Sequence, residues 1–166
     1  MVKELMLTML GVLTLCVGLQ SASAAQPGAV ALTEKDQCAS CGMWITRYPG
    51  PKGEMIQEDG SALKYCSARG MACEYLKLDS AAQAKVKSLY VHNAHGNDWK
   101  KPDDALFIDA KQAWYVYGSS MKAVMGPSLA PFADRETAES FQKQYGGTLY
   151  RFEDLTREIL GCKQRN

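Results

Sequence analysis

The sequence predicts an α+β fold in which two small, similar ββαβ units pack as one compact body, followed by a short C-terminal helix. Three observations support this prediction. The chain has 166 residues, 46% of them hydrophobic, which is the balance of one ordinary globular domain. Two stretches repeat the order strand, strand, helix, strand, as judged from apolar patterning and turn signals. A polar linker that contains Gly96 and Pro102 separates them.

The first 25 residues are typical of a secretory signal peptide. Lys3 supplies a positive charge, residues 5–19 form an apolar run, and small residues up to Ala25 resemble a cleavage site. The run is short for a membrane-spanning helix, which needs about 20 apolar residues. Cys16 follows the bulky Leu15, whereas a lipidated cysteine needs a small residue before it, so we expect lipoprotein anchoring at Cys16 to be absent. The mature protein is therefore predicted to lie in the periplasm.

The predicted elements follow in order along the mature chain. We expect a flexible segment at 26–37, the first unit at 38–92, a linker at 93–104, the second unit at 105–152, and the C-terminal helix and tail at 153–166. In the first unit, strands are predicted at 43–48, on both sides of the Asp59-Gly60 turn within 54–65, and at 86–91, with a helix at 67–78. In the second unit, strands are predicted at 114–117, 127–132 and 148–152, with a helix from an Asp134 cap to Gly146-Gly147. The last helix is predicted at 153–160.

The charge balance argues against one broad class of function. Lys and Arg number 19, Asp and Glu number 18, and the two signs are interspersed along the chain. General nucleic-acid binders carry a clustered cationic surplus that neutralises phosphates. We therefore expect no nucleic-acid partner.

The candidate chemistry begins at the Cys38-x-x-Cys41 pair. Such a pair fits a dithiol redox couple, half of a zinc site or a soft-metal site. Gly42 and Met43 follow directly, and the glycine allows a tight turn that could point three sulfurs inward. Thiolate and thioether sulfurs select Cu(I), whereas zinc rarely accepts methionine. Cys38, Cys41 and Met43 are thus the first candidate metal ligands, and simple packing is the alternative for Met43.

The other cysteines of the mature chain leave several arrangements open. Cys66 and Cys73 would lie about 10 Å apart on a regular helix, beyond the reach of a disulfide, so we expect two buried free thiols. A structural zinc site that combines them with Cys38 and Cys41 is an alternative. Cys162 receives no role from the sequence.

Two histidines follow the last predicted strand of the first unit. His92 and His95 could supplement the sulfur ligands or line a surface loop. We expect the surface loop for both.

Several short motifs occur in order over residues 38–152. They are Cys38-x-x-Cys41-Gly42-Met43, Pro49-Gly50-Pro51, Asp59-Gly60, Tyr65-Cys66-Ser67, Asp109-Ala110, Ala113-Trp114-Tyr115-Val116, Met125-Gly126, Ala130-Pro131-Phe132 and Gly146-Gly147. This ordered set resembles the NosL family of copper-binding accessory proteins for nitrous-oxide reductase. The two similar ββαβ units expected above agree with the fold that the resemblance implies.

The resemblance implies a periplasmic Cu(I) carrier that performs no turnover of its own and serves the assembly of the copper centres of nitrous-oxide reductase. The implied partners are nitrous-oxide reductase or its assembly machinery, together with an upstream copper donor. The family pattern adds Met125 as a fourth candidate ligand. Two alternatives stay open: a thiol–disulfide redox protein that uses Cys38 and Cys41, and a small zinc or disulfide module that binds a partner.

Overall fold

The computed structural model describes residues 28–163, so the predicted signal peptide and Cys16 lie outside the described residues. The strands are β1 (Gly53–Gln57), β2 (Ala62–Tyr65), β3 (Val86–His92), β4 (Phe107–Asp109), β5 (Trp114–Ala123), β6 (Gly126–Phe132) and β7 (Thr148–Arg151). The α-helices are α1 (Ala68–Tyr75), α2 (Ser80–Ala84) and α3 (Arg135–Tyr145), and short 3-10 helices lie at Ile45–Arg47, Asp104–Leu106 and Phe152–Asp154. The predicted α+β class is confirmed. Within residues 28–163, no helix is both long and apolar enough to cross a membrane.

The strands form two antiparallel sheets. The first sheet has the order β2-β1-β3-β4 and the second has the order β6-β5-β7. In each half of the chain, the opening strand lies between its hairpin partner and the strand that follows the helix. The two halves therefore share one local arrangement of three strands and a helix.

The strand β4 belongs to the first sheet, although the predicted boundary places its residues in the second unit. Residues 105–152 were expected to form the second unit, but β4 joins the first sheet, where Val91 pairs with Ile108 and His92 pairs with Phe107. A strand of three residues is too short to show the alternation that marks a strand in a sequence. The first sheet consequently extends past the linker.

Side-chain caps start the two longer helices where the sequence places them. The Ser67 hydroxyl accepts a hydrogen bond from the Gly70 backbone N–H at 2.9 Å, and the Asp134 carboxylate accepts one from the Thr137 N–H at 2.8 Å. Each cap satisfies a backbone donor that has no partner inside its helix. Gly146 ends α3 with φ +74°, a conformation that favours glycine, as the sequence predicts.

One continuous core joins the two sheets. Met55 and Leu89 from the first sheet, Met71 from α1, and Tyr115 and Leu129 from the second sheet are buried in the same cluster. The helix α1 lies so close to β1 that a Cβ atom on Gly53 would come within 2.7 Å of the Met71 Cβ. Close packing of this kind fixes the start of α1 relative to the first sheet.

Two elements take a different form from the predicted one. The predicted strand at 43–48 is wrong, because the chain pairs only through a Gln37–Trp44 bridge and then turns into the 3-10 helix Ile45–Arg47. The predicted helix at 153–160 is also wrong. The chain instead makes the 3-10 helix Phe152–Asp154 and then a series of turns in which the Thr156 hydroxyl accepts a hydrogen bond from the Ile159 N–H. Side-chain bonds of this kind compete with a regular helix.

The segment expected to be flexible, 26–37, is held in place over its described part. The Val30 N–H donates to the buried Glu54 carboxylate at 2.9 Å, and the Leu32 N–H donates to Asp104 at 2.6 Å. The Leu32 side chain also packs against the core. These long-range contacts cannot be read from the local sequence.

Candidate metal centre

Three cysteine sulfurs converge at one end of the first sheet. The Sγ atoms of Cys38, Cys41 and Cys66 all lie within 4.8 Å of one another, and those of Cys41 and Cys66 are 3.7 Å apart. Cys38 and Cys66 are buried, whereas Cys41 is half-buried. All three are free thiols, so the cluster offers three soft donor atoms at one point.

The loop that carries the first two thiols closes on itself. The Cys38 N–H donates to the Met43 carbonyl at 2.8 Å, and the Gly42 N–H donates to the Cys38 carbonyl at the same distance. Gly42 has φ +72°, a conformation in which other residues are strained. The tight turn predicted at this glycine is confirmed, and it places Cys38 and Cys41 on the same side of the loop.

Contacts to β2 bring this loop to the third thiol. The Ala39 N–H donates to the Lys64 carbonyl at 2.9 Å, and the Lys64 ammonium pairs with Asp36 at 2.9 Å. Cys66 follows β2 directly and precedes Ser67, the cap of α1. The thiol is therefore held between the end of a strand and the start of a helix.

The pKa values of two cysteines in the cluster shift in opposite directions. Interaction between the neighbouring Cys38 and Cys66 thiols lowers the pKa of Cys38 and raises that of Cys66. The Ser40 hydroxyl lies 3.4 Å from the Cys38 sulfur and also lowers the pKa of Cys38. The lowered pKa favours the thiolate form of Cys38, which is the form in which a cysteine binds a soft cation.

A buried lysine lies beside the thiols. The Lys52 ammonium donates to the carbonyls of Tyr48, Pro49 and Cys66, and the side chain is only 1% exposed. Burial lowers the pKa of Lys52 to about 8, and interaction with the nearby cysteine thiolates opposes that shift. Lys52 thus supplies a positive charge next to a site that gathers thiolates.

Met125 reaches the same site from the second half of the chain. It lines a cleft of about 170 Å³ together with Cys41 and Cys66, and it is 54% exposed. Its backbone has φ +67°, the one positive value of a residue other than glycine within residues 28–163. A bulky side chain in this conformation is strained, which marks the position as a candidate for function.

Arg69 holds the Met125 turn against the thiols. Its Nη1 donates to the Met125 carbonyl at 3.0 Å, while Nε and Nη2 donate to the carbonyls of Leu160 and Gly161 at 2.8 Å each. Because Arg69 lies in the first turn of α1, it ties the hairpin turn and the C-terminal segment to the helix that follows Cys66. We regard it as a positioning residue.

Met43 lies in the loop but is not one of the described residues that line the cleft. The residue is half-buried, and its carbonyl accepts the Cys38 N–H. The structure therefore brings Cys38 and Cys41 together with Cys66, and it places Met125 on a cleft that Cys41 and Cys66 also line. The ligand roles of the four predicted residues, Met43 included, stay predictions.

The remaining cysteines form a disulfide, which corrects one expectation. Cys73 and Cys162 are bonded with a Cα–Cα distance of 5.6 Å, so the interpretation of Cys73 as a free thiol is wrong. The two residues are 89 positions apart, and only the folding of the C-terminal segment onto α1 brings them together. With Cys73 in a disulfide, the alternative four-thiolate zinc site does not form. Cys66 stays a buried free thiol, as expected.

The two histidines separate in the structure. His95 is exposed in a loop, as predicted, but the surface-loop interpretation of His92 is wrong. His92 ends β3 and is 1% exposed; its Nε2 donates to Asp104 at 3.0 Å, and its Nδ1 accepts the Lys52 backbone N–H at 3.3 Å. Burial lowers the pKa of His92, and both ring nitrogens already have partners.

Sequence reasoning missed three residues of this site: Cys66, Lys52 and Arg69. A signal existed for Cys66, because a cysteine between a predicted strand and a helix cap lies at a position that the two elements fix. No local signal distinguishes Lys52 or Arg69 from surface residues, since their roles depend on carbonyls from distant segments.

The fold and the site together define a class: a small two-sheet α+β protein that gathers three cysteine sulfurs suited to a soft metal ion. Comparison with known proteins then gives the family. The NosL family profile matches residues 29–160, and the chain belongs to the NosL family.

Characterised relatives agree with this assignment. The chain is 41% identical over 131 residues to the copper-binding lipoprotein NosL of Stutzerimonas stutzeri, covering 79% of this chain and 67% of the relative. It is 32% identical over 123 residues to the protein of the same name from Achromobacter cycloclastes, covering 72% and 63%. The crystal structure of the copper chaperone NosL from Shewanella denitrificans superposes with a TM-score of 0.74 at 39% identity, covering 80% of this chain and 99% of that chain. Both sequence relatives are named lipoproteins, so they give no support to the expectation that Cys16 is unlipidated.

Proposed function

We propose that this protein is a periplasmic Cu(I) carrier whose metal is held by cysteine and methionine sulfur and is released by ligand exchange. The observation that carries the proposal is the convergence of the Cys38, Cys41 and Cys66 sulfurs, all within 4.8 Å of one another, beside a cleft that Cys41, Cys66 and Met125 line. Soft sulfur donors of this kind select Cu(I) over the other common biological metals. The relatives named as copper-binding proteins and as a copper chaperone support this choice of metal.

The geometry suits a carrier that must give its metal away. Cys38 and Cys66 are buried, but Cys41 is half-buried and Met125 is largely exposed. Incoming ligands can therefore approach from the side of Cys41 and Met125 while the buried thiols keep their hold. Cu(I) with two thiolates carries a net negative charge, and the buried Lys52 ammonium offsets that charge.

We further propose that the recipient is nitrous-oxide reductase or its assembly machinery, because the family resemblance implies this partner. A location outside the inner membrane is supported by the lipoprotein names of the two relatives. Those relatives are named for copper binding and not for a reaction, which favours a carrier over an enzyme.

A thiol–disulfide redox protein is the second candidate, since the pKa of Cys38 is lowered to about 4, as in reactive thiols. Burial argues against it. The Cys38 side chain is 3% exposed, so a dithiol substrate has no access to that sulfur.

The test is an anaerobic titration of the reduced protein with Cu(I) against the competing chelator bicinchoninate. Wild type should bind about one Cu(I), and Cys38→Ser, Met43→Ala and Met125→Ala should each weaken binding. Met121→Ala is the matched control, because Met121 is half-buried and lines a different cleft, beside Phe141. Binding that is absent, or that no cysteine or methionine change affects, would contradict the carrier and favour the redox alternative.

A further inference from the structure

We propose that the rim of the thiol cleft is a docking surface for an acidic protein face that exchanges copper with this chain. The inference rests on the proposed function and adds the chemistry of the partner. The cleft is lined by four basic side chains, Arg69, Lys77, Arg157 and Lys163, and by one acidic side chain, Glu74. The rim therefore carries a surplus of positive charge around the place where copper would enter and leave.

Two of these cations are available to a partner. The side chains of Lys77 and Lys163 are exposed and make no hydrogen bond or ion pair with another residue of the described part, 28–163. Arg69, in contrast, is fully engaged with the carbonyls of three residues and serves the fold. The Nε of Arg157 is buried without a hydrogen-bond partner within those residues. Lys77 and Lys163 are thus the charges that a docking partner would contact.

The disulfide fixes both lysines at the cleft. Lys163 directly follows Cys162, and Lys77 lies one helical turn beyond Cys73, just past the end of α1. Bonding Cys73 to Cys162 therefore places the two ammonium groups on the same rim. This gives the disulfide a role in addition to stability, because it presents charge next to the thiols.

A larger cleft elsewhere on the protein shows that this surplus is local. That cleft, of about 710 Å³, has four cations at its wall, but three acidic side chains offset all but one of them: Glu34, Asp103 and Asp104. The thiol cleft has only Glu74 to set against its four cations. Charge complementarity of this kind steers association and is screened by salt.

A protein face fits the thiol cleft better than a membrane surface does. Cys66 is buried at the cleft and Cys41 is half-buried, so a partner must insert a ligand to take the metal. A flat anionic bilayer can contact exposed lysines but brings no metal ligand into a concave site. The partner is therefore expected to present acidic side chains around a protruding soft ligand.

The experiment measures Cu(I) transfer from the loaded full-length protein by stopped flow at low and high ionic strength. The acceptors are bathocuproine disulfonate, which is anionic, and neocuproine, which is uncharged. The test variant is Lys77→Glu/Lys163→Glu. The matched control is Lys87→Glu/Lys143→Glu, which makes the same change of net charge at exposed positions outside the cleft wall.

Transfer to the disulfonate should be about tenfold slower from the test variant at low salt and nearly equal to wild type at 1 M KCl. Transfer to neocuproine, and the Cu(I) affinity itself, should be unchanged. Equal slowing of transfer from the control variant, or a wild-type transfer rate that does not depend on salt, would contradict the docking surface. The proposal of a copper carrier would still hold. Wild type that fails to bind Cu(I) would overturn both.

Sedimentation with phosphatidylglycerol vesicles tests whether the rim binds a lipid surface instead of a protein. The loaded protein should stay in solution at physiological salt. If the protein binds the vesicles and Lys77→Glu/Lys163→Glu abolishes that binding, the rim binds a lipid surface and the proposal is contradicted.

Discussion

The two halves of the chain share a local arrangement of strands and helix but differ at two matching positions. Between β2 and α1 the sequence places Cys66 before the cap Ser67, whereas between β6 and α3 it places Ala133 before the cap Asp134. In the hairpin turns, positive φ values belong to Gly60 in the first half and to Met125 and Gly126 in the second. The scaffold is repeated, and the sulfur atoms are not.

This difference shows which parts of the repeated fold carry the candidate metal ligands. The first half supplies three thiols, and the second supplies Met125, which the long strand β5 of ten residues carries to the thiol cleft. At the turn, glycine adopts a positive φ without strain, yet the chain uses a methionine there at a cost of about 1–2 kcal/mol. The expected compensation is a metal–sulfur bond.

The first prediction makes the first half resemble the second at the strand-to-helix junction. Cys66→Ala should lower the affinity for Cu(I) about a thousandfold, roughly 4 kcal/mol, because it removes one thiol and the neighbour that lowers the pKa of Cys38. Chelator competition measures the affinity, and thermal unfolding checks that the variant folds. The reverse change Ala133→Cys is the control and should create no second site. An affinity for Cys66→Ala within threefold of wild type would exclude Cys66 from the site.

The second prediction uses the ionisable side chains that, within residues 28–163, are buried only in the first half. Lys52, Glu54 and His92 are buried there, whereas the buried polar residues of the second half are Ser119 and Ser128. Burial raises the pKa of Glu54 from 4.5 to about 7, so between these values the folded protein keeps a proton that the unfolded chain releases.

The stability that Glu54 contributes should therefore be present below pH 4.5 and be lost as pH rises through 7. Urea unfolding of wild type and Glu54→Gln should show a difference that changes by about 3 kcal/mol across this window. Comparing the two proteins at each pH removes the opposing effect of His92, whose pKa is lowered by burial. A difference that stays constant with pH would show that Glu54 is ionised in the folded protein.

The third prediction separates strain from metal binding at the hairpin turn. Met125→Asn should leave the free energy of unfolding unchanged or raise it by up to about 1 kcal/mol, because asparagine tolerates a positive φ. The same variant should bind Cu(I) about tenfold more weakly, since it lacks the thioether. Met125→Leu should also bind weakly, without the gain in stability. If both variants bind Cu(I) with the affinity of wild type, Met125 is not a copper ligand and serves only the turn.

Local signals in the sequence account for the parts of the fold that could be predicted. The tight turn at Gly42, the Asp134 cap and the Gly146 stop all depend on conformations that a single residue type favours. The Cys73–Cys162 bond, the burial of His92 and the short strand β4 depend on segments that meet only after folding. The thiol cluster is a mixed case, because the loop at Cys38 and Cys41 was visible and its docking beside Cys66 was not.

The most direct test of the account is X-ray absorption at the copper edge on the Cu(I)-loaded protein and its Cys66→Ala variant. Cys38, Cys41 and Cys66 bring their sulfurs to one point, and Met125 adds a thioether at the wall of the adjoining cleft. The account predicts a ligand shell made only of sulfur, with one sulfur fewer in the variant. A shell that contains nitrogen or oxygen in place of sulfur, or a sulfur count that Cys66→Ala does not change, would contradict it.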